Sequence, residues 1–260
     1  MSTLNKSKIN QLLKSQPHLV VFLSSWLADQ GYSASLQKRY RSSEWLQSIG
    51  NGAMIRTGDD VGYDGALYAL QHQLGLSIHP GGRTALSLLG KAHYLELAQT
   101  KVVLYGQPKE VLPVWFREHD WGVTVDYHQS YFLPADLGML DVELKKFSIQ
   151  VSSPARAIME CLLLAPMHQD LMECLELMEG MNNLQPKQVQ QLLEACQSVK
   201  VKRLFLYMAE KVNHEWIRYL NMEKINLGKG KRSLVKNGVY VPKYQITVPR
   251  KLENFGKEAV

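Results

Sequence analysis

The 260-residue chain has three cysteines, Cys161, Cys174 and Cys196, and no CxxC pair. An odd, widely spaced set argues against both a disulfide framework and a zinc site built on thiolates. Each lies among leucines and methionines in a segment of helical periodicity, so all three are expected as small core residues. The longest apolar cluster, Cys161-Leu-Leu-Leu-Ala-Pro166, falls far short of the ~18 residues of a membrane span. The amino terminus, Met-Ser-Thr-Leu-Asn-Lys, lacks the apolar core of a secretory signal, so a cytoplasmic location and no membrane partner are expected.

Catalytic signatures are missing too. There is no GxSxG, no HExxH, no GxxxxGK[ST] and no GxGxxG behind a strand. The eight histidines are scattered. His119-Asp120 and His128 share a strand-rich stretch, but no nucleophile accompanies them. Asp59, Asp60 and Asp64 cluster at the start of a helical segment, where capping and the macrodipole account for acids more simply than a metal ion does. The chain is therefore expected to be no enzyme and to hold no cofactor or metal. No repeat of 20–50 residues and no low-complexity tract is present.

What the chain does have is an uneven charge. The formal net charge of +6 divides into +4 over residues 1–95, −7 over 96–198 and +9 over 199–260. A basic head and a basic tail around an acidic middle suit an anionic partner at the ends.

The head carries the most readable pattern. Residues 4–14 are amphipathic through Leu4, Ile9, Leu12 and Leu13, and Pro17 ends them. Residues 19–30 are predicted as a helix with Val20, Leu23 and Leu27 inward. Gly31-Tyr32-Ser33 breaks it: glycine supplies a C-terminal cap and Ser33 an N-cap. The next helix, about 34–43, is short and basic. Leu36 and Tyr40 share its inner face; Ala34, Ser35, Lys38, Arg41 and Ser42 lie opposite. Trp45–Ile49 and Ala53–Arg56 then read as strands around a Gly50-Asn51-Gly52 turn. Two helices joined by a tight turn, a basic second helix and a hairpin make a winged helix-turn-helix.

Beyond it, residues 63–74 and 83–89 are predicted helices. From about 100 the texture becomes strand-like, at 102–105, 111–116, 122–127, 131–133 and 144–151. Ser153-Pro154 opens a helical run over 155–164, 168–179, 186–197 and 200–212. The tail returns to strands at 239–241 and 245–248, behind the basic loop Gly228-Lys-Gly-Lys-Arg232. The expected class is α+β. A winged helix-turn-helix domain over 1–97 precedes a mixed α/β domain over 98–260, with strands to 151, helices over 154–220 and a basic, strand-rich tail over 228–260.

This order of elements resembles the AbiEi-like antitoxins of type IV toxin–antitoxin systems. The resemblance rests on Gly31-Tyr-Ser33 before the basic helix, Trp45-Leu46 and the Gly50-Asn-Gly52 wing. It continues through His79-Pro-Gly-Gly-Arg-Thr-Ala-Leu-Ser-Leu-Leu-Gly90 and Val151-Ser-Ser-Pro-Ala-Arg-Ala-Ile-Met-Glu160. It spans about residues 19–220; the tail after 228 lies outside it. It implies a repressor that binds inverted repeats of double-stranded DNA in its own promoter. It also implies a C-terminal domain that counteracts a nucleotidyltransferase-like toxin, without requiring a stable complex.

The candidate DNA-binding residues follow. Lys38 and Arg41 suit guanine O6/N7 or phosphate, Gln37 an adenine edge, and Ser33, Ser35 and Ser42 phosphate or base edges. Arg39 is a phosphate candidate, as are Arg56 at the wing's end and Lys6 and Lys8 in the first helix. Lys229, Lys231, Arg232 and Lys236 form a second basic surface, for DNA or for an acidic patch on a partner. Two alternatives share the winged helix: a stand-alone regulator with a ligand- or partner-sensing second domain, and a nuclease built on Asp126, Asp136 and Asp141. The irregular spacing of those aspartates speaks against the nuclease.

Overall fold

The computed structural model describes residues 8–90, 101–144 and 146–256. Lys6 lies outside them. The chain opens with α1 (Lys8–Ser15), β1 (Phe22–Leu23), α2 (Ser24–Asp29), α3 (Ala34–Ser42), β2 (Leu46–Gly50) and β3 (Ala53–Arg56). The three strands form one antiparallel sheet in the order β1-β3-β2. Phe22 pairs with Met54, and Ser48 with Met54 on the other side.

The single helix expected over 19–30 is a strand followed by a short helix. Leu19 takes a positive φ of 64°, and Val20 and Val21 lead, fully buried, into the strand at Phe22. β-branched and aromatic residues fit a pleated, buried strand better than a helix. β3 pairs with Phe22 and Leu23, and the Val21 N–H finds the Gly65 carbonyl at 3.2 Å, as a buried segment must satisfy its backbone. At the turn, Gly31 sits at φ 83°, its N–H bonds the Ala28 carbonyl, and the Ser33 hydroxyl accepts from the Leu36 N–H at 3.4 Å.

α4 (Tyr63–His72), β4 (His79–Pro80) and α5 (Gly82–Leu88) lead into the second half. Asp59 does not cap α4; its carboxylate accepts from the Leu19 N–H at 2.8 Å and fixes the bend before β1. β5 (Lys101–Gly106) pairs antiparallel with β4 and parallel with β6 (Thr124–Gln129), with α6 (Val114–Glu118) between them in sequence. The strand expected over 111–116 is this helix. Pro113 caps it with no N–H to give a ladder, and the helix starts one residue later. Residues 131–133 are also no strand; Phe132 and Leu133 simply bury their side chains from a loop.

A hairpin, β7 (Met139–Leu144) and β8 (Phe147–Ser152), precedes α7 (Pro154–Leu164), α8 (Leu171–Glu179), α9 (Pro186–Ala195) and α10 (Val199–Lys211). The tail forms β9 (Arg232–Ser233), β10 (Val239–Val241), β11 (Ile246–Val248) and α11 (Arg250–Asn254), with sheet order β10-β11-β9. The class is α+β. Cys161, Cys174 and Cys196 are free and buried, and burial pushes all three thiols up from their ordinary value. Among the described residues no helix is long and apolar enough to cross a membrane, and no group of three or more metal-ligating side chains gathers.

α7 is the axis of the second half. Every residue from Ala155 to Leu162 is buried, and α5, α8, α9 and α10 surround it. At its start the two long motifs of the sequence meet in a buried polar knot. The Glu160 carboxylate, wholly buried, accepts from Ser152 Oγ and Arg156 Nε at 2.9 Å and from the Gly82 N–H at 2.9 Å. His79 Nε2 stands 3.3 Å away, and its Nδ1 faces the Ser77 carbonyl at 2.6 Å. Arg156 Nη1 faces the Pro134, Ala135 and Leu137 carbonyls. A Cβ at Gly81 would lie 2.4 Å from the carboxylate, so only glycine fits there. Burial pushes Glu160 up, but the His79 hydrogen bond, the Arg156 charge and the Gly82 N–H outweigh it, and the group sits below its usual value.

Candidate nucleic-acid interface

The Ser33 cap and the positive-φ Gly31 set the angle between α2 and α3. α3 then turns one face inward. Tyr40 is 4% exposed and packs near Tyr32 with ring centroids 6.4 Å apart. Ser33, Ser35, Lys38, Arg39, Arg41 and Ser42 all stay exposed. α3 contains no acidic residue, so three cations stand on one short helix with nothing on it to neutralise them.

Gln37 is a correction. It is only 4% exposed, and its amide donates to the Ser24 carbonyl at 3.0 Å and to the Tyr32 carbonyl at 2.8 Å. On a helical wheel it falls about 60° from Tyr40, within the inward arc. It ties α3 to α2 and to the turn, and reads no base.

Arg56 is the other correction. β3 is the middle strand of its sheet and all four of its residues are buried. The guanidinium turns inward to the Leu13 and Gln16 carbonyls at 2.7 and 2.6 Å, with Pro17 and His18 beside them. It also stands 5.9 Å over the Phe22 ring. Burial lowers its pKa, against the opposing pull of Asp59. Arg56 bolts the end of α1 to the sheet and does not reach phosphate. Lys8 likewise has a local partner, the Gly31 carbonyl at 3.2 Å.

The hairpin stands beside α3. Gly52 makes its turn at φ 80°, and Gln47, Ser48 and Asn51 are exposed. Arg41 leans towards it, with Nη1 3.2 Å from Met54 Sδ. Arg41, Ser24, Ser48, Asn51 and Met54 wall a cleft of about 470 Å³ between helix and hairpin. A second cleft of about 390 Å³, bounded by Arg41, Gln47, Ser48 and Thr57, lies against the same arginine. Gln47, Ser48 and Asn51 were absent from the sequence-based candidates. Strand alternation gave a signal for Gln47, and a hairpin turn displays its Asn in any case. Trp45, just after α3, is 48% exposed.

The second basic surface has a built foundation. Lys229, Lys231, Arg232 and Lys236 are all exposed. The loop that carries them is held from within by Arg203, 2% exposed on α10. Its guanidinium donates to the Leu227, Gly228, Gly230 and Gln245 carbonyls at 2.7–3.2 Å. Lys231 lies 5.1 Å over the Tyr240 ring. From Lys224 to Leu252 the sequence has eight cations and no acid.

The order α1-β1-α2-α3-β2-β3, with β1 closing the far side of the sheet, is that of a winged helix-turn-helix protein, and a larger α+β body is attached to it. Two family models cover the chain. Residues 5–97 match "Transcriptional regulator, AbiEi antitoxin N-terminal domain", and residues 99–249 match "Transcriptional regulator, AbiEi antitoxin, Type IV TA system". The chain belongs to the AbiEi antitoxin family of transcriptional regulators. Its fold is similar to that of the RV2827C protein from Mycobacterium tuberculosis, with a TM-score of 0.57 and 14% identity over 92% of this chain and 88% of that one. None of the curated proteins compared with it matches in sequence.

Proposed function

We propose that this regulator binds duplex DNA through the outward face of α3 and the adjoining hairpin, and that it represses the operon encoding it. In this reading residues 1–97 are the DNA-binding domain, and inverted repeats in the promoter are its target. Residues 98–260 counteract a nucleotidyltransferase-like toxin encoded alongside. The observation that carries the DNA step is the exposure of Lys38, Arg39 and Arg41 on an acid-free helix whose other face is locked by Tyr40 and Gln37.

Lys38 and Arg41 are the candidates for base edges, since an arginine fork matches guanine O6/N7. Ser33, Ser35, Ser42 and Arg39 suit phosphate, which fixes register without reading sequence. Ser33 has its hydroxyl partly committed to the cap. Lys229, Lys231, Arg232 and Lys236 extend the contact to phosphates outside the groove. A mobility-shift titration with the native promoter and an unrelated duplex tests this. Lys38→Ala and Arg41→Ala should each weaken binding to the promoter; unchanged binding in both sinks the assignment of α3. Co-expression with the neighbouring gene tests the second half: rescue by the full chain is expected, and growth arrest despite it refutes the antitoxin role.

A further inference from the structure

α6 has two sides, and they face different things. Trp115 packs on the hairpin: a Cβ built at Gly50 in β2 would lie 3.0 Å from Trp115 Cβ and 3.2 Å from its Cα. Helix and wing thus touch almost backbone to backbone. On the other side, Phe116 and Arg117 line a cleft of about 530 Å³ with Trp121, Val125 and Tyr127, and His119 stands at its edge.

The cleft is built rather than incidental. In the parallel pairing of β5 and β6, Val125 and Tyr127 lie opposite Val102 and Leu104, which puts them on one face of the sheet. Tyr127 donates to the Glu110 carbonyl at 2.7 Å, so the strand face is tied to the loop before α6. Trp121 donates to the Phe116 carbonyl at 2.7 Å, and its ring lies 5.5 Å from Phe116 and 6.4 Å from Trp115. One aromatic cluster therefore runs from the cleft to the wing. Burial and the Glu110 charge push the Tyr127 phenol up to about 12, so it stays neutral. Arg117 is exposed; its backbone N–H bonds the Pro113 carbonyl, and among the described residues its guanidinium has no hydrogen-bond or ion-pair partner.

We propose that this cleft binds a small aromatic carboxylate and that its occupancy is passed through α6 to the wing. Aromatic and aliphatic walls with a few placed polar groups are what a ligand site of this size consists of. The ring would lie against Phe116, Trp121 and Val125; the carboxylate would pair with the Arg117 fork at the mouth. Any shift of α6 on binding would carry Trp115 with it, and Trp115 sits so close to Gly50 that the wing has no room for a side chain there. A ligand that favours one α6 position thereby biases the wing. This goes beyond the DNA-binding reading and can fail while that reading stands.

The test uses the full chain without DNA. Amide and indole N–H resonances are followed by NMR on titration with benzoate, indole-3-acetate and 2-naphthoate, and with 2-naphthamide as the neutral control. The expected result is saturable shifts of the Trp121 indole together with the Gly50 and Gly52 amides for at least one acid. The amide should bind at least ten-fold more weakly, and Arg117→Gln should remove that preference while leaving the free spectrum folded. No saturable shift with any of the three acids overturns the site. Equal affinity for acid and amide overturns the ligand class, and shifts that stop at Trp121 and leave Gly50 and Gly52 unmoved overturn the coupling.

Discussion

Arginines do opposite work in the two halves of this protein. On α3, Arg39 and Arg41 are held out to solvent with no carboxylate on their helix. In the body, Arg156 and Arg203 are 3% and 2% exposed and hold three and four backbone carbonyls respectively. Buried cations must be paired or fully hydrogen-bonded, whereas exposed ones contribute little to stability. The difference is one of consequence: substitution of an inner arginine should destabilise the fold, and substitution of an outer one should leave stability unchanged and weaken DNA binding. Arg56 sits in the DNA-binding half but belongs with the inner group.

The sharpest break in that comparison is the knot at α7. Arg156→Ala should leave the Glu160 carboxylate buried without its cation and cost about 3–5 kcal/mol, read by urea denaturation. The knot also sets an acid limit. Glu160 titrates lower in the folded chain than in the unfolded one, so its stabilisation is complete above the ordinary carboxylate value of 4.5. It is lost as the pH falls through the folded value. The denaturation midpoint should therefore drop below about pH 4.5, and less steeply in Glu160→Gln. Arg203→Ala comes next, at about 3 kcal/mol for a charged donor taken from several carbonyls, with loss of the tail's ordered signals. Arg41→Ala should cost about 1–3 kcal/mol of promoter binding if it reads a base, with stability within about 0.5 kcal/mol of the parent. The smallest effect belongs to the tail: each of Lys229→Ala and Lys231→Ala should flatten the log–log salt dependence of DNA binding by about one unit if it touches a phosphate.

How much of this was legible in the sequence depends on how local the cause was. The Gly31-Tyr32-Ser33 break, α3 and the Gly50–Gly52 hairpin follow from caps and turn residues a few positions apart, and they stand where the pattern placed them. β1 did not, because its extended form comes from pairing with β3, which lies thirty residues on in sequence. Without β1 the third strand reads as a sheet edge, and Arg56 reads as a wing-tip cation. With it, β3 is central and Arg56 has nowhere to go but inward. Gln37 was misread for a similar reason: the carbonyls that claim it belong to Ser24 and Tyr32, across the turn. The motifs around Gly81 and Glu160 were visible as patterns, but their meeting is a tertiary event between segments far apart in the chain.

The most direct measurement is fluorescence anisotropy with the promoter duplex, run on Lys38→Ala/Arg41→Ala alongside the parent, each paired with a urea melt. The account predicts at least a ten-fold rise in Kd at an unchanged melting midpoint. An unaltered Kd, or a loss of binding that only tracks a loss of folding, would contradict it.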